Sequence, residues 1–376
     1  MPFLQKMKCL RRNDDAMKID VGIYKDHPYQ FYFLKMKCFF LPIVFLFAMH
    51  DSFAQTMQLP EPVTNLAAAA LQKNEASYIY TFYGLDSTRK WSGVHNKVFR
   101  ISLATGQSEL VGRVPDSIGR LASSAATIKN KAYITGGYTV FQNGKEYSSK
   151  YLFIFDPITE TFTKGAELPI SIDDHIQTVW RDSLLYLISG WSDSANVRIV
   201  QVYNPFTNQW RLATSLPNEK TAAVFGGCGT IVGDTIYILG GAVFDKFYPP
   251  SGNMYKGAID PENPLQITWI NAGEYPGEFR YRSAAYTMAN KIFFFGGSNE
   301  TYNYNGISYK EKKPVEPNKT VLIYDIYRGT FTFKQVLKQV MDIRNIVLSV
   351  KNKFYIVGGM GPHQKISADV ISIKIK

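Results

Sequence analysis

Cysteine is scarce in this chain. Its 376 residues include three cysteines, Cys9, Cys38 and Cys228. The first two precede a predicted cleavage site after Ala54, so the mature chain would keep Cys228 alone and could form no intramolecular disulfide. Cys228 lies in the sequence Gly226-Gly227-Cys228-Gly229 and is interpreted as an inert small residue of an inner strand. The core, and not disulfides, must therefore hold the fold.

Histidines and catalytic motifs are also few. His95, His175 and His363 remain after Ala54, and none has a spaced partner such as His-x-His. We therefore expect structural or solvated histidines and no metal site. There is no Gly-x-Ser-x-Gly nucleophile elbow, and the glycine pairs end strands without opening helices, which excludes phosphate loops. No cofactor is predicted.

The longest apolar stretch is too short to span a bilayer comfortably. It runs from Phe39 to Met49, follows Lys35 and Lys37, and precedes the small-x-small triplet Ser52-Phe53-Ala54. This order is typical of a secretory signal peptide, which we assign to residues 36–54; a membrane anchor is the alternative.

The predicted signal peptide defines where translation starts and where the mature chain begins. Residues 1–35 carry no repeat pattern, so we expect translation to start at Met36 and the leader to be absent from the mature protein. The mature chain would begin at Gln55 and be periplasmic or extracellular, without a stable membrane span. We expect it to be a monomer.

Positive charge is in excess but is not concentrated. The net charge is +11, and removing residues 1–54 leaves 34 basic and 26 acidic residues, or 34 − 26 = +8. The densest run, Lys310-Glu311-Lys312-Lys313, is short, and no helix with a basic face is evident. A nucleic-acid partner is therefore not predicted.

A six-fold repeat is the most informative feature present. Short apolar runs end six times at a pair of small residues, and the pairs start 53, 53, 51, 56 and 62 residues apart. The pairs are Tyr83-Gly84, Gly136-Gly137, Ser189-Gly190, Gly240-Gly241, Gly296-Gly297 and Gly358-Gly359, which we use to define units 1 to 6. A period near 50 residues predicts an all-β propeller with one four-stranded blade per unit, hence six blades over residues 55–376.

The strands of each unit follow a common order. In unit 2 they are predicted at 121–128, 132–135, 151–155 and 161–164. Unit 1 has an alanine run, Leu66 to Ala70, at the first-strand position; alanine favours helix, but the repeat predicts a strand. Unit 6 lacks an outer strand, so we predict that residues 55–59 supply it by pairing with 370–375 and close the ring.

The loops between the second and third strands are long. They cover residues 85–97, 138–150, 242–254 and 298–319, and they share one rim of a propeller with the connections between units. We call this rim the loop face. Long loops on a rigid scaffold usually carry function. Aromatic residues are frequent there, namely Trp91, Tyr138, Phe141, Tyr147, Trp191, Phe244, Phe247, Tyr248, Tyr302, Tyr304 and Tyr309. Flat rings beside amides suit a sugar or a peptide, although several rings can simply pack each loop onto its blade.

Charged residues at the starts of the first strands should reach the same face. The cationic candidates for ligand binding are Arg120, Lys220, Arg280, Arg282 and Arg344. The candidate acid and base residues are Asp173, Asp174 and His175. Several cations around a channel mouth would attract an anion such as a carboxylated sugar. The alternative is that they pair with carboxylates such as Asp173, Asp174 and Asp342.

The repeat resembles the kelch units of exported bacterial β-propellers over residues 55–376. A closer resemblance, to the kelch sugar-mutarotase group that includes the N-acetylneuraminate epimerases, is carried by the segments 302–306 (YNYNG) and 369–373 (DVISI). That group has an acidic residue just after a second strand and an arginine several positions on. Unit 3 keeps Arg198 but has Trp191 in the place of the acid, and unit 4 has Ala242-Val243 after its glycine pair.

Three functions remain open from the sequence. The first is an exported binding module for a carbohydrate or protein partner, with Tyr138, Trp191, Arg198, Tyr302 and Tyr304 as further ligand contacts. The second is a mutarotase or epimerase of an acidic sugar, with an acid/base pair near the anomeric carbon. The third is a copper oxidase, because galactose oxidase also has kelch units, but its two histidine ligands and its Cys–Tyr cross-link have no matching motif here.

Overall fold

The structure, a computed structural model, describes residues 57–336, 338–344, 347–349 and 353–374. The predicted leader and signal peptide lie outside the described residues. Helix within them is limited to two 3-10 turns, Trp91–Gly93 and Pro362–Gln364. No helix there has the length and hydropathy that crossing a membrane requires. The protein is an all-β propeller.

Units 1 to 3 each form an antiparallel sheet of four successive blade strands. Unit 1 contains β1 (Ala67–Lys73), β2 (Ala76–Leu85), β3 (Val94–Ser102) and β4 (Ser108–Arg113). Unit 2 contains β5 (Leu121–Ile128), β6 (Lys131–Val140), β7 (Glu146–Ser148), β8 (Leu152–Asp156) and β9 (Thr161–Lys164). Unit 3 contains β10 (Ile176–Trp180), β11 (Leu184–Ile188), β12 (Trp191–Ser192), β13 (Ala195–Asn196), β14 (Val200–Asn204) and β15 (Gln209–Ala213). The pairs β6–β7 and β12–β13 are hairpins on the loop face.

Units 4 and 5 repeat the same four-strand order, and unit 6 is shorter. Unit 4 contains β16 (Val224–Phe225), β17 (Cys228–Val232), β18 (Thr235–Leu239), β19 (Ala242–Val243), β20 (Asn253–Ile259) and β21 (Ile267–Glu274). Unit 5 contains β22 (Ala284–Met288), β23 (Lys291–Phe295), β24 (Thr320–Asp325) and β25 (Thr330–Gln335). Unit 6 contains β26 (Val347–Ser349), β27 (Lys353–Val357) and β28 (Val370–Lys374).

The number of complete blades differs from the prediction. Five sheets have the full set of four blade strands, while the sheet of unit 6 has three in the described residues. The prediction of six four-stranded blades is therefore wrong for unit 6. The backbone near Met57 pairs with this sheet through one bridge, Gln58 to Asp369, which consists of two hydrogen bonds, Leu59 N–H to Ala368 O (2.7 Å) and Val370 N–H to Met57 O (2.9 Å). Within the described residues 57–59, no strand of regular length forms.

The alanine run of unit 1 is a strand, as the repeat predicts. Ala67 to Ala70 lie in β1 and pair with residues 79–82 of β2. The strand is stable because Ala67 and Ala69 are buried in a cluster with Tyr80 and Phe82, so packing outweighs helix propensity.

The hydrophobic core lies between neighbouring sheets. Phe155 of unit 2 packs on Tyr80 and Phe82 of unit 1, with ring centroids 4.9 and 5.5 Å apart. On the outer strands, Trp210 donates to Ala166 O (2.9 Å) and Trp269 donates to Thr214 O (3.1 Å), each in the preceding unit. Both tryptophans are partly buried and pack against the core between blades, which agrees with the packing role that their position in the repeat predicts.

Candidate functional site

One residue at the start of each unit has left-handed backbone geometry. The six residues are Asn65, Ala122, Asp174, Gly226, Arg282 and Asp342, with φ between 49° and 65°. Each links to the next unit by a hydrogen bond; for example, Gly226 N–H donates to Asp174 O and Arg282 N–H donates to Gly226 O, both at 2.7 Å. The same backbone conformation therefore recurs around the channel mouth and places Asp174, Arg282 and Asp342 close together.

These side chains form a buried ion-pair network. Arg282 donates from Nη2 to Asp174 Oδ2 (2.8 Å) and from Nη1 to Asp342 Oδ1 (3.3 Å). Arg344 pairs with Asp174 and donates from Nε to Asn65 Oδ1 (3.0 Å). Burial opposes ionisation of Asp174, but Arg282 and Arg344 outweigh it and hold the pKa of this carboxyl below its usual value. The positive charge of Arg282 is therefore matched within the protein.

A cavity of about 310 Å³ opens on the loop face above this network. Its lining comes from units 2 to 5. The lining residues are Tyr138, Gly144, Glu146, Ser148, Asp173, Asp174, Trp191, Asp193, Phe225, Tyr248, Arg282, Asn303 and Tyr309. We call this space the rim cavity.

Aromatic rings form one part of its lining. Trp191 lies 5.6 Å from Phe225 and 5.8 Å from Tyr248, and Tyr248 lies 4.9 Å from Tyr309, all between ring centroids and near edge-to-face. Trp191 is held by two backbone hydrogen bonds with Asp173, each 2.9 Å. Such interlocked rings are a rigid surface, because each ring restricts the rotation of its neighbours. We call Trp191, Phe225, Tyr248 and Tyr309 the aromatic wall.

Acidic and hydroxyl groups form the other part. Asp173 accepts a hydrogen bond from the Ser148 hydroxyl (2.6 Å), and Asp193 accepts from the Ser171 hydroxyl (2.9 Å) and the Ser148 N–H (2.9 Å). Burial, and then the nearby charge of Asp174, raise the pKa of Asp173 well above its usual value. Glu146 lies at the mouth of the cavity on β7.

The structure brings five of the predicted site residues to the rim cavity. They are Tyr138, Asp173, Asp174, Trp191 and Arg282. Tyr138 does not lie in a loop as expected, because β6 extends through it and pairs it with Ser148 of β7.

Two predicted arginines are buried away from this cavity. Arg120 pairs with Asp116 and donates to Gly136 O (3.1 Å). Arg280 is fully buried and donates to Thr320 O (2.7 Å). Their guanidinium groups join neighbouring strands and segments. Pairing with carboxylates, the alternative that the sequence left open, is what the structure shows for Arg120, Arg282 and Arg344.

Other predicted residues also lie outside the lining of the rim cavity. Arg198 donates to Leu216 O (3.3 Å), and Lys220 forms an exposed pair with Asp245 (2.5 Å). Tyr302 is buried against Tyr281, with ring centroids 5.1 Å apart.

Three further candidates remain. Tyr304 is half-buried and packs beside the cluster of Leu85 and Leu121. His175 lies behind the cavity, 3.0 Å from the Thr135 hydroxyl, and burial lowers its pKa to about 4. Arg344 lines a second cavity of about 450 Å³ in the central channel, among small inner-strand residues such as Ala126 and Gly229.

Sequence reasoning missed several lining residues. Glu146, Ser148 and Asp193 were not considered, although Glu146 and Ser148 fall in a loop already noted for its aromatic residues. A search for acidic residues in the long loops would have found Glu146. Phe225 carries no such signal, because an apolar residue before a glycine is typical of any inner strand.

The described residues contain no group of three or more His, Cys, Asp or Glu side chains arranged to hold a metal ion. Cys228 is a buried free thiol that accepts a hydrogen bond from Ser283 (3.1 Å), and burial raises its pKa to about 11. The thiol is therefore kept in its unreactive form.

Comparisons with known proteins agree with this fold. The kelch motif family matches residues 119–169, which is unit 2. Alpha-scruin of Limulus polyphemus is 26% identical over 172 residues, covering 45% of this chain and 18% of the relative. Kelch-like protein 25 of Xenopus tropicalis is 25% identical over 186 residues, covering 47% of this chain and 29% of the relative. The chain thus spans less than a third of the length of these curated relatives.

A solved structure, described as the structure of YjhT, matches with a TM-score of 0.66. The sequence identity is 14%, and the match covers 85% of this chain and 97% of that one. At this identity the likeness concerns the fold alone. With the repeat and the sheets described above, these matches show a β-propeller fold that contains a kelch motif in unit 2.

Proposed function

We propose that this protein is an exported binding module that holds a carbohydrate in the rim cavity. The observation that carries the proposal is the composition of the cavity: a rigid aromatic wall faces carboxyl, hydroxyl and amide groups. Sugars present apolar C–H faces, which stack on aromatic rings. Their hydroxyls form hydrogen bonds with such polar groups. The volume of about 310 Å³ lies at the lower end of the range for ligand pockets, about 300–1,000 Å³. It suits one or two sugar rings better than a protein segment.

A paired tryptophan substitution tests the proposal. A glycan array followed by calorimetry should find a carbohydrate ligand, and Trp191→Ala should weaken its binding at least tenfold, because the stacking surface is lost. Trp91→Ala is the matched control: Trp91 is exposed on a loop and does not line the cavity. Binding that Trp191→Ala leaves intact, or an absence of any glycan ligand, would reject the proposal.

A mutarotase or epimerase is a second candidate, supported by Asp173. This buried carboxyl lines the cavity and stays protonated to a higher pH than usual, which suits a general acid near an anomeric carbon. Anomer exchange followed by proton NMR would be accelerated by the wild type and lost in Asp173→Asn. Carbohydrate binding without accelerated exchange would leave the binding module as the function.

The two ends of the mature chain belong to the same proposal. We propose cleavage after Ala54 and a ring of six units over residues 55–376 in which the segment 57–59 takes the place of the missing outer strand of unit 6. The bridge between Gln58 and Asp369, with its two backbone hydrogen bonds, supports this arrangement. N-terminal sequencing of exported protein should start at Gln55; an earlier start would contradict the cleavage.

A further inference from the structure

The rim cavity has a negative charge balance. Its ionisable lining residues are Glu146, Asp173, Asp174, Asp193 and Arg282. The charge of Arg282 is matched by Asp174 and Asp342, and burial raises the pKa of Asp173 well above its usual value. Glu146 and Asp193 therefore contribute two carboxylates that no cation of the cavity lining balances.

Glu146 differs from the other carboxyl groups in having no partner. Within the described part of the chain, its side chain makes no hydrogen bond or ion pair, whereas Asp193 accepts two hydrogen bonds. The side chain is exposed at the cavity mouth, where the surrounding protein still raises its pKa by desolvation. A cation that enters the cavity would therefore meet a carboxylate that no group of the protein already pairs. A cation beside Glu146 would stabilise the ionised form of its carboxyl group, and the carboxylate would in turn attract the cation.

The aromatic wall adds a second attraction for a cation. The faces of tryptophan, tyrosine and phenylalanine rings carry negative potential and attract ammonium groups within about 6 Å of the ring centroid. Four such rings lie beside the two unbalanced carboxylates in one cavity. An anionic ligand would meet repulsion from the rings and from the carboxylates, while a neutral sugar would offer Glu146 a hydroxyl donor but no ion pair.

We infer that the carbohydrate bound in the rim cavity carries a protonated amine, as an amino sugar without N-acetylation does, and that Glu146 forms its ion pair. This inference rests on the proposed function and narrows its ligand class. It separates this site from the acidic-sugar site that the resemblance implies, because the arginines required for a carboxylate are already paired within the protein.

Calorimetry with four monosaccharides tests the inference. Glucosamine, N-acetylglucosamine, glucose and glucuronate would be titrated at about pH 6.5, below the usual pKa of an α-amino group, about 8. We expect glucosamine to bind at least tenfold more tightly than the other three. In Glu146→Gln this preference should disappear, while Glu262→Gln, which changes an exposed carboxylate in a turn of unit 4, should keep it.

Each other outcome overturns the inference in a distinguishable way. Equal binding of glucosamine and glucose, with both lost in Trp191→Ala, would reject the amine and keep the proposed carbohydrate function. Tighter binding of glucuronate than of glucosamine would also reject the amine and keep the carbohydrate function, with an acidic sugar as the ligand. A preference that survives in Glu146→Gln would reject the role of Glu146. Absence of binding by all four would overturn the inference and count against the proposed function.

Discussion

Buried charge is the main feature at the scale of single residues. Arg282 is 2% exposed and lies between Asp174 and Asp342, each from a different unit. Such a group stabilises the fold only while all partners are present, because removal of one leaves an unpaired charge in a low-dielectric environment. The network therefore makes the stability of the loop face depend on a few side chains.

Replacing Arg282 should be strongly destabilising. Arg282→Met leaves Asp342 with Thr64 as its remaining hydrogen-bond donor and removes one of two cations from Asp174. We expect a loss of about 3–5 kcal/mol in the free energy of unfolding, measured by chemical denaturation. Lys220→Ala, which breaks an exposed ion pair with Asp245, is the control and should change stability little. Equal effects of the two substitutions would contradict the role of the network.

His175 should make stability depend on pH. Its pKa falls from 6.5 to about 4 on burial, so the unfolded chain binds more protons between these values and stability decreases as the pH falls from about 6.5 to 4. When the pH is lowered from 7 to 5, the free energy of unfolding of His175→Gln should decrease by up to about 2 kcal/mol less than that of the wild type. The raised pKa of Asp173 acts in the opposite direction, but it is present in both proteins.

The exposed His363 provides the control for this measurement. His363→Gln should keep the pH dependence of the wild type, because the side chain is in solvent in the folded protein. Denaturation curves at the two pH values would reject the assignment if His175→Gln and the wild type lost equal stability.

At the scale of strands, the glycine pairs allow close contact between neighbouring units. Gly240 has φ +70°, and a Cβ at this position would collide with the backbone oxygen of Arg280 in the next unit. A side chain there would push two sheets apart. The pairs are therefore a packing requirement of the ring as well as strand ends.

A comparison of two glycines separates packing from backbone strain. Gly233 has a similar φ of +59°, but a Cβ there would meet open space. Both Gly→Ala substitutions carry the cost of a left-handed alanine, about 1–2 kcal/mol. Gly240→Ala should cost about 1–3 kcal/mol more because of the collision. Equal losses in thermal or chemical unfolding would show that contact between the sheets is not the reason for the glycine.

At the scale of the whole molecule, the segment 57–59 contacts the last unit of the ring. Leu59 is buried in a cluster with Tyr355 and Val370, so side-chain packing supplements the two backbone hydrogen bonds between the segment 57–59 and residues 368–370. Free sheet edges are prone to pair with other chains. Closure by the N-terminal segment would therefore influence both stability and aggregation.

Removal of this segment tests closure. Deleting residues 55–62 should lower the melting temperature of the entire propeller in one transition, because the first and last units lose the backbone and side-chain contacts of the segment 57–59. Leu59→Ala keeps the backbone contacts and should cost about 2–5 kcal/mol through its cavity. Ile158→Ala, at an exposed turn, is the neutral control. An unchanged melting temperature of the deletion protein would show that the segment does not close the ring.

The sequence determined the repeat, and with it most of the strands. Small residues at a spacing of about 50 residues, alternating apolar positions and tight turns are local signals, so strands such as 121–128 and 161–164 were predictable to the residue. The pairing of the N-terminal segment with unit 6 was not predictable in this way, because the two segments are distant in the sequence. They pair at a single bridge, and a local sequence pattern does not specify so short a register.

The candidate site was decided by tertiary structure. An arginine can face a ligand or a carboxylate of the protein, and neighbours more than 50 residues away decide between the two. Asp174 and Asp342 are such neighbours of Arg282. The sequence supplied the aromatic residues and the charges of the loop face. Only the arrangement of the units brought four rings and two unbalanced carboxylates into one cavity, because electrostatic balance is a property of distances in space.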